Sequence, residues 1–248
     1  MNACMTHGYV LPGTPHEVVD HRYFFATRAP SGARIGAYTC GVAREALARG
    51  LRRYGRNALG DFYFLLRALP MFADNPSVTG FLIEQAVLSS IGNKGLDISE
   101  GINSPMETVM FGGDFPEIHT RKPLTLYCPL QCNLRAIDGL VVRFTDQRCF
   151  MFPVQISIRK VTTDCEAWFF DQWPLWIRGL AGYEIEVQFV WVVESTPASN
   201  EPAGRGSRTL RKGRHPFNLE YRRWRIPLKD VDQQVDDWLE RARAARER

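Results

Sequence analysis

Two apolar runs separated by a three-residue polar turn constrain this chain more than any other stretch. AIDGLVVRF (136–144) leads through Thr145-Asp146-Gln147 into RCFMFPVQISIRK (148–160). So short a connection joins neighbouring strands only when they are antiparallel, so the pair predicts a hairpin over 137–144 and 149–158. Both runs are apolar and strand-like. The order helix, several strands, helix, strand around them is that of an α/β sandwich around a mixed sheet.

Polar residues inside these runs then stand out. Asp138 opens the first run and the lone amide Gln155 sits deep in the second. Upstream, GFLIEQAV (80–87) carries Glu84, the only ionisable side chain between Asp74 and Lys94. A buried, unpaired carboxylate is costly, so an acid in such company has a partner, a metal or a chemical task. Glu on a helix, Asp on the first strand of a hairpin and Gln on the second is the layout of a metal-dependent phosphodiesterase. That chemistry needs oxygen ligands to hold Mg²⁺ or Mn²⁺ on the scissile phosphate, and a cation to steady developing charge. Residues 155, 157 and 159 share a strand face. The position two after Gln155, where a lysine belongs, is Ser157, which leaves Arg159 or Lys160 to supply the cation. The structural alternatives are equally concrete. Asp138 can fix a turn at the strand start, Glu84 can pair with Arg44 or Arg67, and Gln155 can be a satisfied core amide.

Around this centre the sequence reads as an α/β chain. Residues 1–60 form an attachment: HRYFF is extended, Arg28–Gly36 is a turn region, and Thr39–Tyr54 is a basic amphipathic helix. Residues 61–248 hold the main domain. It begins with a short helix over Phe62–Phe72 and the Glu84 helix over 75–92, started by Asn75-Pro76-Ser77 and stopped by Gly92-Asn93. Strands follow over 106–111, 124–128, 137–144 and 149–158. Thr163-Asp164-Cys165-Glu166 is a capping box opening an aromatic helix that Pro174 kinks or restarts. Tyr183–Val193 is a strand, 195–214 a loop, Trp224–Leu228 a short last strand, and Val231–Arg248 a helix. The net charge of +4 permits nucleic-acid binding without requiring it. No apolar run spans a membrane and no secretory signal is visible, so the expectation is an intracellular protein, cytoplasmic or nuclear. The six cysteines are scattered. Cys128-x-x-x-Cys132 has ligand spacing without a matching second pair, and the main reading is reduced cysteines. No phosphate-binding loop of the GxxxxGK[ST] kind occurs.

NPSVTGFLIEQAVLSSI, LTLYCPLQCNLRAIDGLVV, FPVQISIRKVTTDCEAWFFDQWPLW and YEIEVQFVWVV resemble the C-terminal module of fungal crinkler-like proteins and their retrotransposon-hot-spot relatives. That module is similar to PD-(D/E)XK nucleases. The resemblance covers roughly residues 60–245 and implies a restriction-endonuclease-like mixed sheet flanked by helices, with an N-terminal helical appendage. HRYFF…YTCGVAREAL looks like the tail of an NTPase region. By this resemblance Glu84, Asp138 and Gln155 are the catalytic and metal-holding set, with Mg²⁺ or Mn²⁺ as cofactor and DNA as substrate. Ser157 departs from the motif lysine, and the histidine often found just after that strand is absent. These departures keep a second class open: an inactive module that binds nucleic acid or a protein partner, an NTPase or a host factor.

A basic segment adds a separate indication. Arg205, Arg208, Arg211, Lys212 and Arg214 cluster, and Arg222, Arg223 and Arg225 interleave with Tyr221 and Trp224. Cations with aromatics suit a phosphate backbone with stacked bases, and a solvated loop is the alternative. Alternation places Tyr221 toward a ligand and Trp224 in the core.

Overall fold

The computed structural model describes residues 24–28, 34–38, 76–98, 101–111, 114–129, 134, 136–158, 164–194, 202–212 and 215–246. Strands β1 (Phe24–Arg28) and β2 (Arg34–Tyr38) form an antiparallel two-stranded sheet of their own. The helices expected over 39–54 and 62–72 lie outside the described residues.

Helix α1 (Pro76–Lys94) precedes β3 (Glu107–Phe111), β4 (Leu124–Pro129), β5 (Gly139–Phe144) and β6 (Arg148–Ser157). Then come α2 (Asp164–Asp171), α3 (Trp173–Trp176), β7 (Glu184–Val193), β8 (Pro202–Lys212) and β9 (His215–Pro227), and finally α4 (Leu228–Val231) and α5 (Gln233–Arg246). The seven strands β3–β9 make one mixed sheet in the order β3-β4-β5-β6-β7-β9-β8. β4, β5 and β6 form an antiparallel meander, while β6, β7 and β9 run parallel. The expected hairpin is β5–β6, in the register Gly139↔Val154 to Phe144↔Cys149. Pro153 lies mid-strand in β6. The pairing to β7 is interrupted between Met151 and Val154 without a change of register, as a missing N–H requires.

Side-chain alternation divides the core into two layers. On one face Val141, Phe150, Phe152, Val154, Val190 and Trp224 pack with α1, α4 and α5. On the other, Leu140, Met151, Phe189 and Tyr221 pack with the aromatic side of α2 and α3, where Phe169 stacks on Trp176 with ring centroids 5.0 Å apart. Pro174 sits in the first turn of α3, so the aromatic helix restarts there. Asp232 ties the α1 layer together. Its Oδ1 accepts the N–H groups of Gln234 and Val235 and so caps α5, while its Oδ2 accepts Ser90 Oγ and Lys94 Nζ from the last turns of α1.

Three parts of the chain differ from the sequence reading. The expected turn region over Arg28–Gly36 is in part strand, with Arg34–Tyr38 paired to Phe24–Arg28 as β2. Residues 202–212 are not a loop but the long edge strand β8, and β9 extends over thirteen residues instead of a short 224–228 stretch. β8 pairs on one edge only and most of its described side chains are exposed, so it needs few apolar residues: Leu210 is buried and Gly206 lies under the Tyr221 ring. Among the described residues no helix is long and apolar enough to cross a membrane.

Candidate functional site

Asp138 is held just ahead of β5 by its backbone N–H, which donates to Val154 O at 2.9 Å. Extending the β5–β6 register by one residue sets it opposite Gln155. The pair meets directly. Gln155 Nε2 donates to Asp138 Oδ2 at 2.6 Å, and the Ile156 N–H donates to the same oxygen at 2.7 Å. Burial pushes the Asp138 carboxyl up to about 7, against the pull of the Ile156 and Gln155 hydrogen bonds. Two neutral donors thus leave the carboxylate undercompensated. Among the described residues, Gln155 Oε1 is itself buried without a hydrogen-bond partner. The centre therefore pairs a proton-hungry carboxylate with an orphaned amide oxygen.

Gly139 lets α1 approach this end of the sheet. A Cβ there would stand 2.6 Å from Leu88 Cδ2. Glu84 is half-buried one helical turn before Leu88 and on the same side of α1. The expected helix therefore lies over the Asp138 end of the sheet. Alternation nevertheless sends Asp138 and Gln155 to the α2 face, with Leu140 and Met151, whereas α1 packs on the opposite face. Glu84 can join them only around the end of the sheet. Ser157 shares the face of Gln155. Arg159 and Lys160 lie outside the described residues.

Those oxygens suit a hard divalent ion. Mg²⁺ commonly takes one or two protein oxygens and completes its shell with water and substrate phosphate. Among the described residues no group of three or more His, Cys, Asp and Glu is placed to hold a metal, so a site here depends on Asp138, Gln155 and such outside ligands. Cys128, Cys149 and Cys165 are buried thiols, and burial raises Cys149 and Cys165 to about 12, with the Glu166 and Asp138 charges adding to the rise at Cys165. Cys132, the other half of the spaced pair, lies outside the described residues.

Neighbouring the centre is a network that the sequence did not reveal. Glu166 is 1% exposed and receives Tyr221 OH at 2.7 Å, Trp191 Nε1 at 3.3 Å, and Arg223 through Nε and Nη2 at 2.8 Å each. It joins α2 to β7 and β9; Thr163, the other half of the expected capping box, lies outside the described residues. The network also corrects the role expected of Tyr221. Its ring is 3% exposed and packs on Phe170 and Phe189, so it offers no face for a base to stack on. Trp224 is buried in the opposite layer, as expected, with its indole N–H donated to Gln188 Oε1. Arg205 and Arg208 are exposed on β8. The side chains of Arg211 and Lys212, and all of Arg214, lie outside the described residues.

No family model matches the chain, and no curated protein or solved structure shows significant similarity to it.

Proposed function

We propose that the chain is a divalent-metal-dependent DNA phosphodiester hydrolase of the PD-(D/E)XK type, built on a restriction-endonuclease-like core. The observation that carries this reading is the Asp138–Gln155 contact with its undercompensated carboxylate and unpartnered amide oxygen. Supporting it is the element order: a helix, an antiparallel three-strand meander, then a helix leading to a strand parallel to the third. Asp138 and Gln155 would hold Mg²⁺ or Mn²⁺, with Glu84 reaching in from α1. The ion supplies Lewis-acid stabilisation of the phosphate and a more acidic bound water. The chain's own part is to fix the ligand oxygens and to keep Asp138 ionised while metal is bound. In the hydrolysis a water oxygen bonds to phosphorus, the phosphodiester P–O bond breaks, and the leaving oxygen takes up a proton. Arg159 and Lys160 are the candidates for the cation that Ser157 does not provide.

Ser157 itself favours a second reading, an inactive module of the same fold that binds nucleic acid through β8 and β9, or binds a protein partner. Supercoiled plasmid separates the two. Nicking that requires Mg²⁺ or Mn²⁺ and disappears in Asp138→Ala is the expected result for a hydrolase. Equal products from both proteins, or none from either, leave only the binding module.

A further inference from the structure

Strands β6, β7 and β9 run parallel and end at Ser157, Val193 and Pro227. In open α/β sheets the carboxyl ends of parallel strands are where ligands collect. The registers Gln155↔Trp191 and Trp191↔Arg225 set one row across these ends. Asp138 begins the row on β5, opposite Gln155. All four residues lie on the α2 face, because neighbours an even number of positions away, Leu140, Met151, Val193 and Tyr221 with Arg223, do so in alternation. Trp191 is buried and forms the floor, its indole N–H bound to Glu166. Arg225 is exposed, and among the described residues it has no ion pair. Arg223, one step back on the same face, is consumed by Glu166.

We propose that Arg225 is a positioning residue that binds a phosphate flanking the one at Asp138 and Gln155, so that the nucleic-acid strand crosses the carboxyl ends of β6, β7 and β9. This rests on the hydrolase or binding reading above and adds the path of the strand. Gln155 and Arg225 stand two strand spacings apart, roughly 10 Å between backbones. That span matches separate phosphates of one strand, with Arg225 reaching toward the second. The like-charged pair Arg205↔Arg222 belongs to the opposite face of β8 and β9, away from this row.

The test is fluorescence anisotropy with a short DNA duplex in Ca²⁺, over a range of NaCl, on intact chains. Wild type is compared with Arg225→Gln and Arg178→Gln. Arg178 is exposed in the turn ahead of β7, at the opposite end of the sheet, and controls for net charge. Arg225→Gln is expected to bind several-fold more weakly and to reduce the log–log salt slope by about 0.9, one phosphate contact. Arg178→Gln should match wild type. Equal behaviour of the two variants overturns the path. A wild type that binds no duplex at all overturns the path together with the nucleic-acid reading. Loss of slope in Arg225→Gln, in a protein whose nicking is unaffected by Asp138→Ala, keeps the path and removes only the metal centre.

Discussion

Replacing Asp138 by Asn should stabilise the metal-free protein, and by an amount that grows with pH. Asp138 is raised from 3.8 to about 7 by burial. The folded protein therefore holds this proton more tightly than the unfolded chain does. Stability from that proton is complete below about pH 4, declines as pH rises toward 7, and is gone above it. At about 1.4 kcal/mol per pH unit the full cost of ionisation is about 4–5 kcal/mol, of which about 2–3 kcal/mol develops between pH 5 and pH 8. Asn cannot ionise, yet its carbonyl oxygen still accepts the Ile156 N–H. The assay is denaturant unfolding of both proteins at pH 5 and pH 8 in chelator. The gap in favour of Asp138→Asn should widen by about 2–3 kcal/mol at the higher pH, or by about 5–10 °C in melting temperature. Magnesium should narrow the gap at pH 8 by stabilising only the wild type. A gap that is the same at both pH values would refute the idea of an undercompensated carboxylate.

Other consequences concern the supports of the site. Glu166→Ala leaves Arg223, Tyr221 and Trp191 without their shared acceptor. It should cost about 3 kcal/mol, the low end for a broken buried pair because Arg223 is partly exposed, as read by chemical denaturation. Tyr221→Ala should cost about 3–5 kcal/mol by opening a cavity beside Phe170 and Phe189, so any loss of DNA binding should track loss of folded protein. Gly139→Ala drives a methyl into Leu88 Cδ2 and should cost about 1–3 kcal/mol while pushing α1 off the sheet end, measurable as a lower melting temperature.

The central hairpin was legible because its information is local. Thr145-Asp146-Gln147 allows only a tight return between two apolar, strand-like runs. The Asp138–Gln155 contact followed from that register once the hairpin was granted. β8 was not legible. PAGRGSRTLRK reads as a loop because an edge strand with one supported face has little apolar periodicity to show. The wider role of Glu166 was hidden for a related reason. Its position near a helix start announces only a cap, while its partners Trp191, Tyr221 and Arg223 lie far along the chain, and no local pattern announces them. The same distance effect hid the burial of Tyr221. Alternation correctly separated Tyr221 from Trp224, but it could not show that α2 covers the Tyr221 face.

Titration of the metal-free protein with Mn²⁺, followed by calorimetry at pH 6 and pH 8, tests the Asp138–Gln155 centre most directly. The account predicts saturable binding that tightens at pH 8, because the ion replaces a proton on Asp138, and that is lost in Asp138→Asn. Gln155→Leu should weaken it, since the proposed centre uses the amide oxygen as a ligand. Absence of Mn²⁺ uptake, or uptake that survives unchanged in Asp138→Asn, would contradict it.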